Sequence, residues 1–514
     1  MNIYNNRFDI LASTIAPNPT STKYWADLNS DPNGGIIKYY KDGKWELVND
    51  FEKFLDGKVD KVEGKQLSTE DYTTEDKNKL ASINDESLEA ILAYGVERDV
   101  DSLNPSFYRI GNDALHRSLP VQSMMRGCTL ADDGTVNHYF NDDWTANEDG
   151  TDIKKDGSDG MVMIEIPEFY LKVFSGDREG YMISTYPLNG YTRIAKTYIS
   201  AYEATVDRST STLKLASVAN STATFRGGNN NSSLDSGDKT QLGKPLTNTS
   251  RASFRTYARN RYSSSYSISP YAWNMYDMFT HNILWILYTI EYASTNSQLA
   301  VNNKLDSNGF KQGGLGNGVT TVDGSAWNRF NNYYPIVPCG TSDSLGNGSG
   351  EVSYSLPSSF GDGSVKVTVP RYRGIENPFG HIWKNADGAI FDIKTDAAGG
   401  TSTIYYCADP KYYADSVNSN YSDLGQLPRA DGYVSKVVNG TVFPTKTGGS
   451  STTGICDNFY TSVTSSSLRT CFVGGGRSSG GAGAGLAYVR SADAVGYASA
   501  AYGSRLVFRT DASY

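Results

Sequence analysis

Two short β-prone runs stand near the start of the chain, Ile36-Ile37-Lys38-Tyr39-Tyr40 and Trp45-Glu46-Leu47-Val48, joined by Lys41-Asp42-Gly43-Lys44. An Asp-Gly pair between such runs predicts a hairpin with a tight turn. A hairpin this small is not stable alone and needs a partner surface or copies of itself. From Phe51 to Tyr94 the period changes. Apolar residues recur at Phe51, Leu55, Val59 and Val62, then at Leu80, Ile83, Leu88, Ile91 and Leu92, the spacing of a helical seam. Thr73 or Thr74 is placed to cap a helix whose first turn carries Glu75 and Asp76, while Gly57 and Gly64 weaken the earlier segment. A narrow stripe on short charged helices is expected to bury itself against copies of itself, with a charged interdomain linker as the alternative.

Further along, the clearest helix lies within Tyr271 to Ala300. Trp273, Tyr276, Met278, Phe279, Ile283, Leu284, Ile286, Leu287 and Ile290 make it apolar almost all round, so it is expected inside a domain. Short strands are predicted at Met161 to Ile166, Val352 to Leu356, Val365 to Val369 and Ser504 to Phe508. Loops rich in Gly, Asn, Ser and Asp, such as Gly340 to Gly350, separate them. The pattern divides the chain into a β-rich module at 1–50, a helical oligomerising stalk at 51–95 and a large distal region at 96–514. The expected fold class is α+β.

Composition sharpens this picture. A chain of 514 residues exceeds one compact core and predicts roughly two to four folding units. With 51 Gly and 36 Tyr but only 20% charged residues, it reads as loop-rich, strand-leaning and aromatic rather than disordered. A net charge of −9, with no Lys/Arg run, argues against a nucleic-acid partner. Met1-Asn2-Ile3-Tyr4 opens no signal peptide, and the apolar stretch Ile283 to Tyr288 is too short for a bilayer, so cytoplasmic synthesis without membrane insertion is expected. Cys128, Cys339, Cys407, Cys456 and Cys471 are widely spaced and read as reduced, buried thiols.

Two stretches carry a family resemblance. Lys61-Val62-Glu63-Gly64-Lys65-Gln66-Leu67-Ser68-Thr69-Glu70-Asp71-Tyr72-Thr73, followed by Lys77-Asn78-Lys79-Leu80, resembles a module of the trimeric stalk in bacteriophage tail and head fibres. The long C-terminal region is similar to large fibre proteins of gut phages with Bacteroides-like hosts, including crAss-like phages. The matching words include Arg109-Ile110-Gly111-Asn112, Leu115-His116-Arg117-Ser118-Leu119-Pro120, Met163-Ile164-Glu165-Ile166-Pro167-Glu168, Phe254-Arg255-Thr256-Tyr257-Ala258-Arg259-Asn260, Gly313-Gly314-Leu315-Gly316 and Pro370-Arg371-Tyr372-Arg373-Gly374 through Asn377-Pro378-Phe379-Gly380-His381-Ile382-Trp383. The ending Gly503-Ser504-Arg505-Leu506-Val507-Phe508-Arg509 resembles the closing strand of a C-type-lectin-like domain. The resemblance implies a homotrimeric virion fibre, made in the host cytoplasm. Residues 1–50 would attach it to other virion proteins, and a lectin-like, Gly/Tyr-rich distal region would meet a host-surface glycan or protein.

Chemistry on the sequence is sparse. Gly346-x-Gly348-x-Gly350 and Gly481-x-Gly483-x-Gly485 lack the strand and helix context of a phosphate loop. The four histidines are His116, His138, His281 and His381. Arg371, Arg373, Glu376 and His381 read as a buried polar cluster, with an acid–base pair as the alternative. Asp142, Asp143, Glu148, Asp149, Asp152, Asp156 and Asp159 read as a solvated acidic loop, with a calcium site as the alternative. Formylglycine-generating enzymes share the implied fold but use a close cysteine pair, whereas Cys456 and Cys471 stand apart. No catalytic residue, metal ligand or cofactor is assigned. The rival readings are an enzymatic spike that cleaves capsular polysaccharide, with Glu165/Glu168 or Asp142/Asp143 as carboxylate pairs, and a purely architectural capsid fibre. Candidate receptor contacts are Arg477, Tyr488, Arg490, Asp493, Tyr497 and Tyr502, expected to project from the Gly/Ala/Ser-rich stretch before the closing strand. The alternative there is a structural loop packed on itself or on a neighbouring protomer.

Overall fold

The computed structural model describes residues 10–13, 16, 24–27, 36–47, 85–100, 102, 107–320, 322–360, 364–476 and 483–511. The chain forms two compact units, Met1–Ser82 and Ile83–Tyr514. Most of the expected stalk, residues 51–84, lies outside the described residues, so its seam at Leu80 and Ile83 does too. Among the described residues, strands hold 33% and helices 16%, so the molecule is α+β with strands dominant.

In the first unit, Ile10–Ser13, Tyr24–Asp27, Ile36–Lys41 and Lys44–Leu47 form one sheet in chain order. The first pair is parallel and the others antiparallel. The hairpin lies where the Asp-Gly signal put it, because Asp42 and Gly43 both take positive φ, 49° and 85°, as a turn matched to strand twist requires. Trp25, 7% exposed, packs edge-on against Trp45 at 5.7 Å and carries the Lys38 ammonium over its ring at 4.9 Å.

The second unit begins with the helix Asp85–Leu92, whose first turn is acidic at Asp85 and Glu86, the favourable sign at a helix N-terminus. It runs straight into the strand Ala93–Asp99, which crosses the expected boundary at 95/96. That helix is tied down by Lys172 to Glu89 at 2.7 Å and by Asn112 to the Ile91 carbonyl at 2.8 Å. Ala93–Asp99 joins an antiparallel five-stranded sheet, ordered Thr192–Ile194, Phe169–Phe174, Arg178–Ser184, Ala93–Asp99, Phe107–Gly111.

A six-stranded antiparallel sheet follows the order Trp273–Met275, Leu506–Arg509, Thr197–Ser200, Met161–Ile166, Arg126–Leu130, Val136–Tyr139. The predicted closing strand therefore starts at Leu506, not Ser504, and sits between two partners. Met161–Ile166 has the predicted bounds and is buried throughout. The long apolar helix is Met278–Tyr292, capped by the Asp277 carboxylate on the Thr280 amide at 2.8 Å. All its residues except Phe279 and Tyr292 are buried. Trp273–Met275, expected within that helix, is instead a strand, because it finds the closing strand as its partner.

The remaining large sheet is built on the long strand Trp383–Ile393. Its order is Ser422–Gln426, Ser402–Tyr406, Trp383–Ile393, Ser467–Val473, Val489–Arg490, Asn458–Tyr460, Gly432–Val437, Pro444–Thr447, with Tyr502–Gly503 pairing the long strand in parallel. A bulge between Ala386 and Ile390, with Gly388 at φ 80°, turns the buried Asp387 toward Arg255, which donates Nε–H at 2.5 Å. A smaller sheet, Gly350–Ser355, Lys366–Tyr372 and Ile375–Glu376, contains the strands expected at Val352 to Leu356 and Val365 to Val369, with bounds shifted by one to three residues. It packs its apolar face on Trp327, Phe330 and Ile336.

Candidate functional site

One end of the long strand carries an aromatic floor. Trp383, Phe472, Ala484, Tyr488 and Tyr502 form a buried cluster. Tyr488 meets Trp383 edge-on at 4.7 Å, and Phe472 lies 4.3 Å from Tyr502. The floor is set by strand register: Trp383 pairs with Tyr502 and Phe472 with Arg490.

Arg490 lies on this floor. Its guanidinium sits 4.5 Å from the Tyr460 ring centre, 5.8 Å from Tyr502 and 5.9 Å from Trp383. Asp493 grips it with both oxygens, Nε–H to Oδ2 at 2.6 Å and Nη2–H to Oδ1 at 3.2 Å. Burial alone would pull the guanidinium down, but the Asp493 hydrogen bond outweighs it and raises the group above its ordinary value. Tyr460 and Tyr497 remain 39% and 43% exposed, and Tyr497 leans on Tyr502 with ring centres 5.6 Å apart. The result is a row of Tyr460, Arg490, Tyr502 and Tyr497 with two open phenols, able to offer stacking surface and hydrogen bonds together.

Of the six expected contact residues, the structure brings Tyr488, Arg490, Asp493, Tyr497 and Tyr502 together, and Arg477 lies outside the described residues. Tyr488 and Tyr502 do not project as expected. They are 6% and 8% exposed, because the short strands beside them turn both rings into the floor. Only Tyr497 of the expected tyrosines is open. Tyr460 was missed. It neighbours Arg490 because Asn458–Tyr460 pairs in parallel with Val489–Arg490. Its only sequence signal is the alternation with Phe459, which is 1% exposed.

The segment feeding this floor is anchored from beneath. The Ala487 amide donates to Asp457 Oδ2 at 2.7 Å, the Leu486 amide to Ser297 Oγ at 3.0 Å, and the Asn458 amide to the Gly483 carbonyl at 2.8 Å. His281 Nε2 lies 2.7 Å from the Leu486 carbonyl and must donate to it, so Nδ1 accepts from the Tyr276 hydroxyl. Gly485 is required here, since a Cβ would collide with the Asp457 carboxyl. Burial pushes Asp457 up to about 8 and His281 down to about 4.

The other expected centres resolve differently. Arg371, Arg373, Glu376 and His381 are buried or nearly so; Arg371 and Glu376 are joined through the Ser342 hydroxyl, whereas Arg373 and His381 take other partners. Glu376 accepts from the Gly340 and Ser342 amides at 3.0 and 2.6 Å, Arg373 pairs with Glu291 at 2.6 Å, and Arg371 donates to the Gly346 carbonyl at 2.8 Å. His381 faces Glu203, not Glu376. Its Nδ1 donates to Glu203 at 2.7 Å, while the Ile336 and Val337 amides donate to Nε2 at 3.1 and 3.2 Å.

In the acidic loop, Asp143, Asp149 and Asp156 each accept from the amide and hydroxyl two residues on. These bonds lower all three carboxyls. Among the described residues no group of three His, Cys, Asp or Glu side chains is placed to hold a metal ion. Glu165 sits under the hydroxyls of Tyr139 and Tyr198, whereas Glu168 pairs with Arg193 at the surface at 2.5 Å. Asp142 meets Asn347, so neither expected carboxylate pair converges on one cleft. All five cysteines are free. Cys456 faces Asp457 and Cys471 faces Met278, and burial raises both thiols. Among the described residues no helix is long and apolar enough to cross a membrane. Compared with the models of known protein families and with curated proteins, the chain matches none.

Proposed function

We propose that the chain is a non-enzymatic bacteriophage fibre protein whose distal region binds a host-surface glycan or protein. The observation that carries this reading is the row formed by Tyr460, Arg490, Tyr502 and Tyr497, in which two open phenols flank an ion pair clamped on a rigid aromatic floor. Tyrosine and arginine supply wide contact area at low entropic cost, and binding energy concentrates on such anchors. The likeness of Lys61 to Leu80 and of the stretches from Arg109 to Trp383 to fibre proteins, and of the closing strand to a C-type-lectin-like domain, supports the same reading. Within it, a C-type-lectin-like head ends the fibre, residues 51–95 assemble a homotrimer and residues 1–50 attach it to the virion.

The test is Tyr460→Ala combined with Tyr497→Ala in the full chain, scored by adhesion to host cells and by thermal melting. Two anchors lost are expected to weaken adhesion roughly a hundredfold or more, with the melting temperature unchanged because both side chains are exposed. Unimpaired adhesion would remove the recognition role and leave an architectural fibre.

A further inference from the structure

Remote from the aromatic row in sequence, an open cavity of about 570 Å³ lies beside the strands Arg126–Leu130 and Met161–Ile166. Its size falls within the range of small-ligand sites. Glu165 lines it, with a side chain only 7% exposed. One oxygen, Oε2, is saturated: the Tyr139 hydroxyl donates at 2.6 Å, the Tyr198 hydroxyl at 2.9 Å, and the Lys196 ammonium stands 3.4 Å away. The other, Oε1, receives no hydrogen bond among the described residues. Oε1 is therefore the oxygen left to accept from water, or from a ligand hydroxyl that displaces it, in the open cavity.

Arg126 faces the same space. Its guanidinium stacks 3.5 Å from the Tyr139 ring centre, and one nitrogen, Nη1, donates to Glu148 at 2.8 Å. No other hydrogen bond engages it among the described residues. Met124, 44% exposed, and Pro167 add apolar rim. Asp142, Glu148 and Glu165 set three carboxylates against the one guanidinium. The ligand must therefore donate to Glu165, accept from Arg126, lay an apolar face on Met124 and carry no negative charge. An amine alone would leave Arg126 unanswered, and a phosphate or carboxylate would face three like charges. Sugar hydroxyls donate and accept at once, and a pyranose ring has an apolar face.

We infer that this cavity binds one neutral or amino-bearing saccharide residue, with hydroxyl donors on Glu165 Oε1 and acceptors on Arg126. The site does not rest on the aromatic row and can fail or hold independently of it.

Ligand-observed NMR on the full chain, with glucose, galactose, mannose, glucosamine and glucuronic acid at millimolar concentration, tests it. At least one neutral or amino sugar is expected to bind, and glucuronic acid is not. Glu165→Gln keeps the shape, but Lys196 and the two tyrosines hold its amide oxygen, so a nitrogen donor replaces Oε1. Binding should weaken about tenfold or more. Met124→Trp alters only an exposed rim residue and should abolish uptake by filling the entrance. Tyr186→Ala, at an exposed position outside the cavity, should leave uptake unchanged. Absence of binding by every sugar, equal binding of glucuronic acid, or uptake that survives both cavity variants overturns the inference.

Discussion

Glu203 and Asp493 each hold a cation, the first in a dry interior and the second at the edge of an aromatic floor. Glu203 is 2% exposed, and Lys384 meets it at 2.9 Å while His381 takes its other oxygen at 2.7 Å. Burial would raise this carboxyl, but Lys384 and His381 overcome that and hold it down at about 2. Two backbone amides fill the far side of His381. No donor or acceptor of that histidine is left for an outside partner. Asp493 binds Arg490 with both oxygens, yet the arginine keeps 20% of its side chain exposed and stands beside the open Tyr460 ring. The same chemistry reads as scaffold in one place and as candidate interface in the other. The difference lies in what surrounds the pair.

The largest effect that would break this comparison is at Glu203. Glu203→Gln leaves Lys384 buried without its charge partner, which is expected to cost about 3–5 kcal/mol of unfolding free energy. Chemical denaturation measures it. A loss below about 1 kcal/mol, the range of a surface ion pair, would erase the distinction between the two centres.

The floor comes next. Tyr488→Ala or Tyr502→Ala removes a buried ring and is expected to cost about 3 kcal/mol, the low end for large aromatic truncation, and to lower adhesion with it. Thermal melts and host-cell adhesion on the same protein check both. Lost adhesion at full stability would mean that these rings contact the receptor directly.

The anchor under the floor gives a pH signature. Burial raises Asp457 from an ordinary 3.8 to about 8, so the folded chain favours the neutral carboxyl. Its contribution is whole below the ordinary value and fades as pH rises toward the folded one. Glu376, raised by burial to about 7, slopes the same way in both proteins. The melting temperature of the wild type should therefore fall more steeply than that of Asp457→Asn between about pH 4 and pH 8. Parallel curves would show that Asp457 is paired or hydrated in solution. The smallest expected change is in the stability of Tyr460→Ala, within about 0.5 kcal/mol, read from the same denaturation series.

Local pattern carried several elements into the sequence reading. Met161–Ile166 was legible because a run apolar but for Glu165 is buried on both faces, and Met278–Tyr292 because its apolar residues cover every side. The hairpin turn was legible because Asp42 and Gly43 tolerate positive φ. Trp273–Met275 was not, since its apolar residues suit a helix equally and its partner strand Leu506–Arg509 lies at the far end of the chain. The candidate site was legible as a neighbourhood, through Arg490, Asp493 and Tyr497. Its division into floor and rim was not.

By itself, then, the sequence determined the α+β class, the central helix and the turn, all of which follow from residue type and short-range period. Tertiary structure alone decided which tyrosines are floor and which are rim. Tyr488 and Tyr502 are as polar at their tips as Tyr460 and Tyr497, and nothing local separates them. Strand register does: pairing Trp383 with Tyr502 and Tyr460 with Arg490 buries one set and leaves the other in water. Register is set by long-range pairing between segments that no short window of sequence contains.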